Sequence, residues 1–323
     1  MLQRIDIEGP SFTAGEILSP CVLAIGKFDG VHIGHQAILA KARAELASDS
    51  RAGQVAVLSF QPHPTYVLTG DEQYLRLLTP LPEKTYWLEQ FGVERLYLAH
   101  FNQVFMNTSP EEFLANYLLP LGAKSIVVGH DFRFGQGGRA TAEELAKLCQ
   151  PHNIPVNVVH HVEENGIKVS SSQIRKHLQT GRVEAAEALL GRPYGVTGLV
   201  ETGDKRGREL GFPTANIGKL DSYVLPKRGV YVVAVDTAPY ATSGRHWFGV
   251  ANLGVRPTVD GVAEKLEVHL LDFSGDLYGS TLRIQFLRRI RDEKKFASLA
   301  ELETQIREDV QIAREMLGMG QTS

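Results

Sequence analysis

Gly26-Lys27-Phe28-Asp29-Gly30-Val31-His32-Ile33-Gly34-His35 is the stretch whose reading decides the fold. Immediately before it, Cys21-Val22-Leu23-Ala24-Ile25 is a short apolar run of the kind that forms a buried strand. Immediately after it, Ile38, Leu39, Ala42 and Leu46 recur at helical spacing. The stretch therefore reads as a strand-to-helix turn, where free backbone N–H groups and the positive end of a helix dipole favour an anion such as phosphate. His32 and His35 lie three apart at the start of that helix, which puts both imidazoles on one face. Gly30 and Gly34 are read as leaving room for close approach to the backbone. Phosphoryl-type transfer asks for positioning and for positive charge or N–H donors where charge develops, and two such histidines meet that need. By spacing alone, they are equally well ordinary polar residues at a helix start.

Working outward, apolar runs at 22–26, 55–60, 95–99, 125–129 and 156–161 alternate with helical patterns at 83–91, 110–117 and 142–149. Strands this apolar, separated by helices, predict a parallel sheet covered on both faces. Ligands of such sheets bind beyond the carboxyl ends of the strands, where the two histidines fall. Residues 61–80, rich in turn formers, read as a long loop over that site. Val128-Gly129-His130-Asp131-Phe132-Arg133-Phe134-Gly135 places a charged and aromatic cluster after a second buried strand, as binding loops do. Val169-Ser170-Ser171-Ser172-Gln173-Ile174-Arg175 reads as a helix N-terminus. Its serines are caps, or they hold triphosphate oxygens together with Arg175, and the two readings are compatible.

Past the linker-like Gly191-Arg192-Pro193-Tyr194-Gly195 the texture changes to short β-rich runs at 195–200, 229–235, 247–253, 266–271 and 282–286. Runs of this spacing with no helices between them predict an antiparallel barrel. Leu299, Leu302, Ile306, Val310, Ala313 and Leu317 follow at the 3/4 spacing of an amphipathic helix whose apolar stripe packs as core. The run 201–211, with Gly203, Lys205, Gly207 and Arg208, mixes cations and glycines in a way suited to wrapping phosphates, or forms a solvated turn. It leads into Gly211-Phe212-Pro213-Thr214-Ala215-Asn216, where Thr214 and Asn216 share one face of a strand and offer hard oxygens to Mg²⁺. Glu267 and His269 also share a strand face. A carboxylate there suits proton removal from an attacking hydroxyl, although an exposed or cross-strand ion pair fits the same spacing. The basic run 288–295 reads as a solvated edge.

Length and composition set the frame. At 323 residues the chain has room for two domains, and 43% hydrophobic with 22% charged residues is normal for a folded globular protein. A net charge of −3 argues against wholesale binding to nucleic acid or to an anionic membrane. No apolar run approaches the roughly 20 residues of a membrane-spanning helix. The N-terminal residues carry no signal-peptide core, so the expected location is the cytoplasm. Cys21 and Cys149 lack metal-ligand spacing and read as buried thiols of a reducing compartment.

The residues 26–35 resemble the H-x-G-H signature of nucleotidylyltransferases in the longer form found in bacterial FAD synthetases. Residues 128–135 and 170–175 are similar to two further motifs of that group, with Asp131 where Asn is common and Ser172 where Thr is common. The GRELGFPTAN, ANLGVRPT, LEVHLLDF, DLYG and RIRDEKKF strings resemble the riboflavin kinase domain. Together they cover nearly the whole chain and resemble the bacterial bifunctional riboflavin kinase/FMN adenylyltransferases. The resemblance implies a Rossmann-like nucleotidylyltransferase domain over 1–188 and an antiparallel β-barrel kinase domain with a terminal helix over 189–323. In the first, His32 and His35 would stabilise charge on ATP phosphates as FMN attacks. Gly26, Phe28, Asp29, Gly34, Asp131, Ser171, Ser172 and Arg175 would line the nucleotide and phosphate path. In the second, Thr214 and Asn216 would hold Mg²⁺ and Glu267 would be the base on the riboflavin 5′-hydroxyl. Gly203, Lys205, Gly207 and Arg208 would cover the ATP phosphates, and Arg291 would lie near the flavin. The implied small molecules are riboflavin, FMN, FAD and ATP, with no nucleic acid or membrane partner; a weak homo-oligomer is compatible with this reading. The competing readings are a nucleotidylyltransferase for another acceptor, which leaves the C-terminal strings unexplained, and a flavin- or nucleotide-binding regulatory protein with one active site.

Overall fold

The fold was derived from a computed structural model, which describes residues 2–9, 20–48, 52–202, 211–237, 246–258 and 261–319, with only the backbone at 256–258 and 261–263. The chain divides into two compact units, Met1–Ser171 and Ser172–Ser323. The helices Ser171–Gln179 and Val183–Leu190 lie across and after that division.

The first unit is built on six strands, β1 (Gln3–Ile7), β2 (Cys21–Ile25), β3 (Gln54–Gln61), β4 (Arg95–His100), β5 (Ala123–Gly129) and β6 (Val156–Val159). They form one sheet in the order β1-β4-β3-β2-β5-β6, with every pairing parallel. The period-2 geometry of a strand sends alternate residues to opposite faces, so a strand buried on both faces must be apolar throughout. All five residues of β2 are buried; Cys21, Leu23 and Ile25 enter one core, while Val22 and Ala24 enter the other. The Ile33–Ser48 helix packs on the second core through Ile38, Leu39 and Ala42.

Two differences from the sequence-based expectation stand out. The alternating N-terminal segment forms an edge strand, pairing with β4 alone. Residues 61–80 are not a plain loop. They hold the helix Pro64–Thr69, which starts where His63 Nδ1 accepts from the Thr65 N–H and stops at left-handed Gly70, and the 3₁₀ turn Glu72–Leu75, capped by Asp71. Proline in a first helical turn and glycine just past the last are local start and stop signals, and here they outweigh the turn-rich composition.

The second unit contains a closed antiparallel barrel of β7 (Tyr194–Glu201), β8 (Ala215–Gly218), β9 (Gly229–Asp236), β10 (His246–Thr258), β11 (Gly261–Leu270) and β12 (Thr281–Arg291), in the order β7-β8-β11-β10-β9-β12. Tyr194, Tyr231 and Phe286 cluster on one face of their strands. Val230 and Val232 point the other way and pack with Val250 against Val310, Ala313 and Leu317 of the terminal helix Leu299–Met316. The apolar stripe is thus core in its C-terminal half, but Leu299 at its start is 65% exposed. The basic run is a solvated edge in part: Arg288, Lys294 and Lys295 are exposed, while Arg289 and Arg291 are half-buried. Arg288 approaches Glu184 and Glu187, Arg289 pairs with Asp292, and Arg291 pairs with Asp309.

Candidate functional sites

Strand order in the first unit reverses between β2 and β5: β3 continues on one side of β2 and β5 on the other. In open α/β sheets, the carboxyl ends of such a strand pair open a crevice that binds ligands. Ala24 of β2 sits opposite Val127 of β5, so the 26–35 turn and the Gly129–Asp131 segment leave the sheet together at that point.

The turn is strained and braced. Phe28 and Val31, both fully buried, adopt φ of 50° and 42°, and Gly30 has φ of 93°. Left-handed backbone costs a non-glycine residue on the order of 1–3 kcal/mol and persists only when its surroundings hold it. The bracing comes from the segment 78–84. Asp29 Oδ1 accepts from the Leu78 N–H at 2.8 Å and the Thr79 N–H at 3.2 Å. Thr79 Oγ1 accepts from the Gly30 N–H at 2.8 Å. The buried Lys84 ammonium donates to the Lys27 carbonyl at 2.9 Å, an oxygen that also accepts from Ser59 Oγ at 3.0 Å. Burial holds the Lys84 pKa below that of an ordinary lysine, and the nearby Asp29 carboxylate opposes the shift. Ser171 Oγ donates to the Asp29 carbonyl at 2.8 Å and ties the start of the Ser171–Gln179 helix to the same turn.

His32 and His35 are stacked, with ring centroids 3.6 Å apart and planes 15° from parallel. The His35 N–H donates to His32 Nδ1 at 3.3 Å, so His32 caps the helix it precedes. An Nδ1 that accepts leaves Nε2 to carry the ring proton, which makes Nε2 a donor for an anion. A Cβ on Gly34 would stand 3.2 Å from His32 Nδ1 and Cε1. The room at Gly34 is therefore taken by the His32 imidazole rather than left for a ligand. A Cβ at Gly26 would likewise meet the Phe28 ring at 3.2 Å. Asp131 pairs with Lys168 Nζ at 3.0 Å. Burial works to raise the Asp131 pKa, but the Lys168 hydrogen bond and charge, with His130, hold it below the usual carboxylate range.

In the barrel, register gathers a second group. Glu267 on β11 lies opposite Asn216 on β8 and opposite Asn252 on β10. Leu266 and Val268 are fully buried, so Glu267 faces the other side. Its Oε1 is 2.9 Å from Lys265 Nζ, an ion pair on its own strand. Asn216 Oδ1 is buried and, among the described residues, accepts no hydrogen bond. A buried carbonyl oxygen without a donor is costly unless something electropositive satisfies it. Ala215 and Ile217 are buried between and beside the more accessible Thr214 and Asn216, which accords with Thr214 and Asn216 sharing a side. His269 Nδ1, donating to the Pro213 carbonyl at 2.9 Å, anchors the 211–214 segment to β11. Burial lowers the His269 pKa, against that hydrogen bond.

Both parts of the chain have counterparts among known proteins. The FAD synthetase family model matches residues 15–173 and the riboflavin kinase model matches 190–317. A bifunctional riboflavin kinase/FMN adenylyltransferase of Bacillus subtilis is 38% identical, over 97% of each chain. The Escherichia coli K12 protein of that name is 39% identical over 93% of each. The chain belongs to the bifunctional riboflavin kinase/FMN adenylyltransferase family. A crystal structure from Streptococcus pneumoniae, solved under the name macrolide-efflux protein, superposes with a TM-score of 0.87 at 33% identity over 97% of this chain and 99% of that one. That name is the neighbour's own. In the present chain no described helix is long and apolar enough to cross a membrane.

The site residues expected from the sequence fall in several places. His32, His35, Gly26, Phe28, Asp29, Gly34 and Ser171 converge on the switch-point turn, with Asp131 on the neighbouring strand end. Within that group, Asp29 spends Oδ1 on the backbone of 78–79, and Phe28 is sealed in the core. Ser172 and the buried Arg175 lie further along the Ser171–Gln179 helix, counted with the second unit. Thr214, Asn216 and Glu267 gather on the barrel, whereas Arg291 is clamped to the terminal helix by a fork to Asp309 at 2.8 and 2.7 Å. Gly203, Lys205, Gly207 and Arg208 lie outside the described residues. Thr79, Lys84, Lys168 and Asn252 carry interactions or register that sequence reasoning did not single out. Only Asn252 had a sequence signal, the asparagine of the ANLGVRPT string.

Proposed function

We propose that the family's two activities divide between 1–188, which transfers AMP from ATP to FMN and releases pyrophosphate, and 189–323, which phosphorylates riboflavin. The observation that carries this reading is the stacked His32/His35 pair on a helix N-terminus at the switch point of a parallel sheet. In adenylyl transfer, an FMN phosphate oxygen forms the new bond to the α-phosphorus as the bond to pyrophosphate breaks. His32 Nε2, His35 and the helix N-terminus supply the donors and positive potential that stabilise the phosphate oxygens. No protein base is required, because the attacking phosphate is already anionic.

In the kinase reaction, Glu267 accepts the proton of the riboflavin 5′-hydroxyl as that oxygen bonds to the γ-phosphorus and ADP departs. Asn216 Oδ1, which accepts no hydrogen bond among the described residues, and the Thr214 hydroxyl fit a Mg²⁺ ion, with Mg²⁺–ATP supplying the remaining oxygens. Bound there, Mg²⁺ would neutralise charge on the phosphates. A cytoplasmic setting, where ATP is abundant and thiols stay reduced, suits both reactions.

The test is an HPLC time course of the whole protein with riboflavin, ATP and Mg²⁺. FMN should appear first and give way to FAD. His32→Ala should stop at FMN, and Glu267→Gln should slow FMN formation by roughly 10²-fold or more while still adenylylating added FMN. Loss of both activities in either variant with the fold intact would refute the division.

A further inference from the structure

Around the switch-point turn, the described lysines differ in how their charge is engaged. Lys84 is buried, donating to the Lys27 carbonyl and, at 3.4 Å, to Ser59 Oγ. Lys168 is paired with Asp131. Lys27 is different. Its ammonium donates at 3.2 Å to Thr65 Oγ1, a neutral hydroxyl in the first turn of the Pro64–Thr69 helix, and among the described residues it has no ion-pair partner.

The position is nevertheless built. The Lys27 backbone is fixed from beneath by the two hydrogen bonds its carbonyl accepts from Lys84 and Ser59. Its neighbour Gly26 is fixed by an N–H donated to the Leu58 carbonyl at 3.1 Å. The side chain leaves the end of β2 one residue past Gly26 and is steered by Thr65. Although Lys27 reaches solvent, surrounding protein desolvates its ammonium and lowers its pKa, against the pull of the Asp29 and Asp131 carboxylates. A lysine ammonium has three donors, and Thr65 takes one. A partly desolvated ammonium that is near carboxylates but, among the described residues, in direct ion-pair contact with none has donors left for an anionic ligand.

We propose that Lys27 binds substrate phosphate in the adenylyl-transfer site, its ammonium bonding to a phosphate oxygen of ATP or FMN while Thr65 Oγ1 orients it. The proposal rests on the adenylyltransferase reading of the first unit and adds a cation to the His32/His35 pair. The asymmetry among the lysines is what selects it: Lys84 and Lys168 serve the protein, and Lys27 is left for the ligand.

The experiment measures FAD formation from FMN and ATP by full-length wild type, Lys27→Met, Lys27→Arg and Thr65→Val, varying each substrate in turn. Removing a charge-assisted hydrogen bond should raise one KM about 10- to 100-fold in Lys27→Met. Whether the ATP or the FMN value moves identifies the phosphate. Lys27→Arg, which keeps the charge, should recover most of the loss, and Thr65→Val should move the same KM by a smaller factor. Riboflavin phosphorylation should be unchanged throughout. Wild-type KM and kcat values in Lys27→Met, within twofold, would overturn the proposal, as would a lowered melting temperature with both KM values unmoved. If wild type itself makes no FAD, the adenylyltransferase reading fails, and calorimetric titration with pyrophosphate decides the anion site separately. Equal affinity of wild type and Lys27→Met for pyrophosphate would then refute it.

Discussion

Replacing Asp29 with alanine separates a bracing role from a chemical one. Sequence motifs place this carboxylate on the nucleotide path, whereas in the structure Asp29 is 1% exposed and its Oδ1 accepts two backbone N–H groups, at 2.8 and 3.2 Å. Alanine leaves the Leu78 and Thr79 N–H groups buried without that acceptor. Each such loss costs roughly 1.5–3 kcal/mol when the acceptor is charged, and because both bonds share one oxygen a total of about 3 kcal/mol is expected. For a unit of this size, each kcal/mol moves the melting temperature by roughly 2–4 °C, so the first unit should melt about 6–12 °C lower. The strain at Phe28 and Val31 would lose a restraint, and His32 would lose its fixed position, so FAD formation should fall more than tenfold. Asn at position 29 keeps an oxygen in place, so Asp29→Asn should retain most of the stability and activity that Asp29→Ala loses. The assay is differential scanning calorimetry beside FMN adenylylation. Equal loss of activity in both variants with unchanged melting would show that the carboxylate's charge acts on substrate, and would refute the bracing argument.

Two further predictions concern other parts of the chain. Arg291→Met leaves Asp309, itself 2% exposed, without its guanidinium fork, and breaking a buried pair in this way costs about 3–5 kcal/mol. Urea denaturation of the second unit should show that loss, and Arg291→Met/Asp309→Leu should regain much of it; a raised riboflavin KM with wild-type stability would instead restore the flavin contact expected from the sequence. Burial pushes Cys21 up to about 12 and Cys149 up to about 11, so neither thiol should react with Ellman's reagent at pH 8 until the protein is unfolded. Because the unfolded thiol ionises near 9.0, the stability these two groups lend is complete below that pH and declines as pH climbs toward their folded values. Rapid native labelling of either cysteine would contradict their placement in the core.

Much of the architecture was legible because it is written in local patterns. The apolar strands of the parallel sheet, the 26–35 turn, the helix it opens and the Thr214/Asn216 alternation each follow from residues within a few positions of one another. The partners of the candidate site residues were not legible. Asp29 and Gly30 are held by residues 78–79, Lys27 by Lys84 and Ser59, and Arg291 by Asp309. Each of these contacts joins distant parts of the chain, and no local periodicity encodes it. The edge strand Gln3–Ile7 was missed for the same reason, since its charged alternation becomes a strand only when β4 offers a ladder.

By itself, then, the sequence determined the two fold classes, their order, and the residue types brought to each site, because propensity and hydrophobic period act over a turn or a strand. Tertiary structure alone decided which of those residues brace and which remain open to a ligand. A carboxylate or an ammonium has the same sequence whether it faces a backbone amide or a phosphate, and only packing determines which of the two it meets.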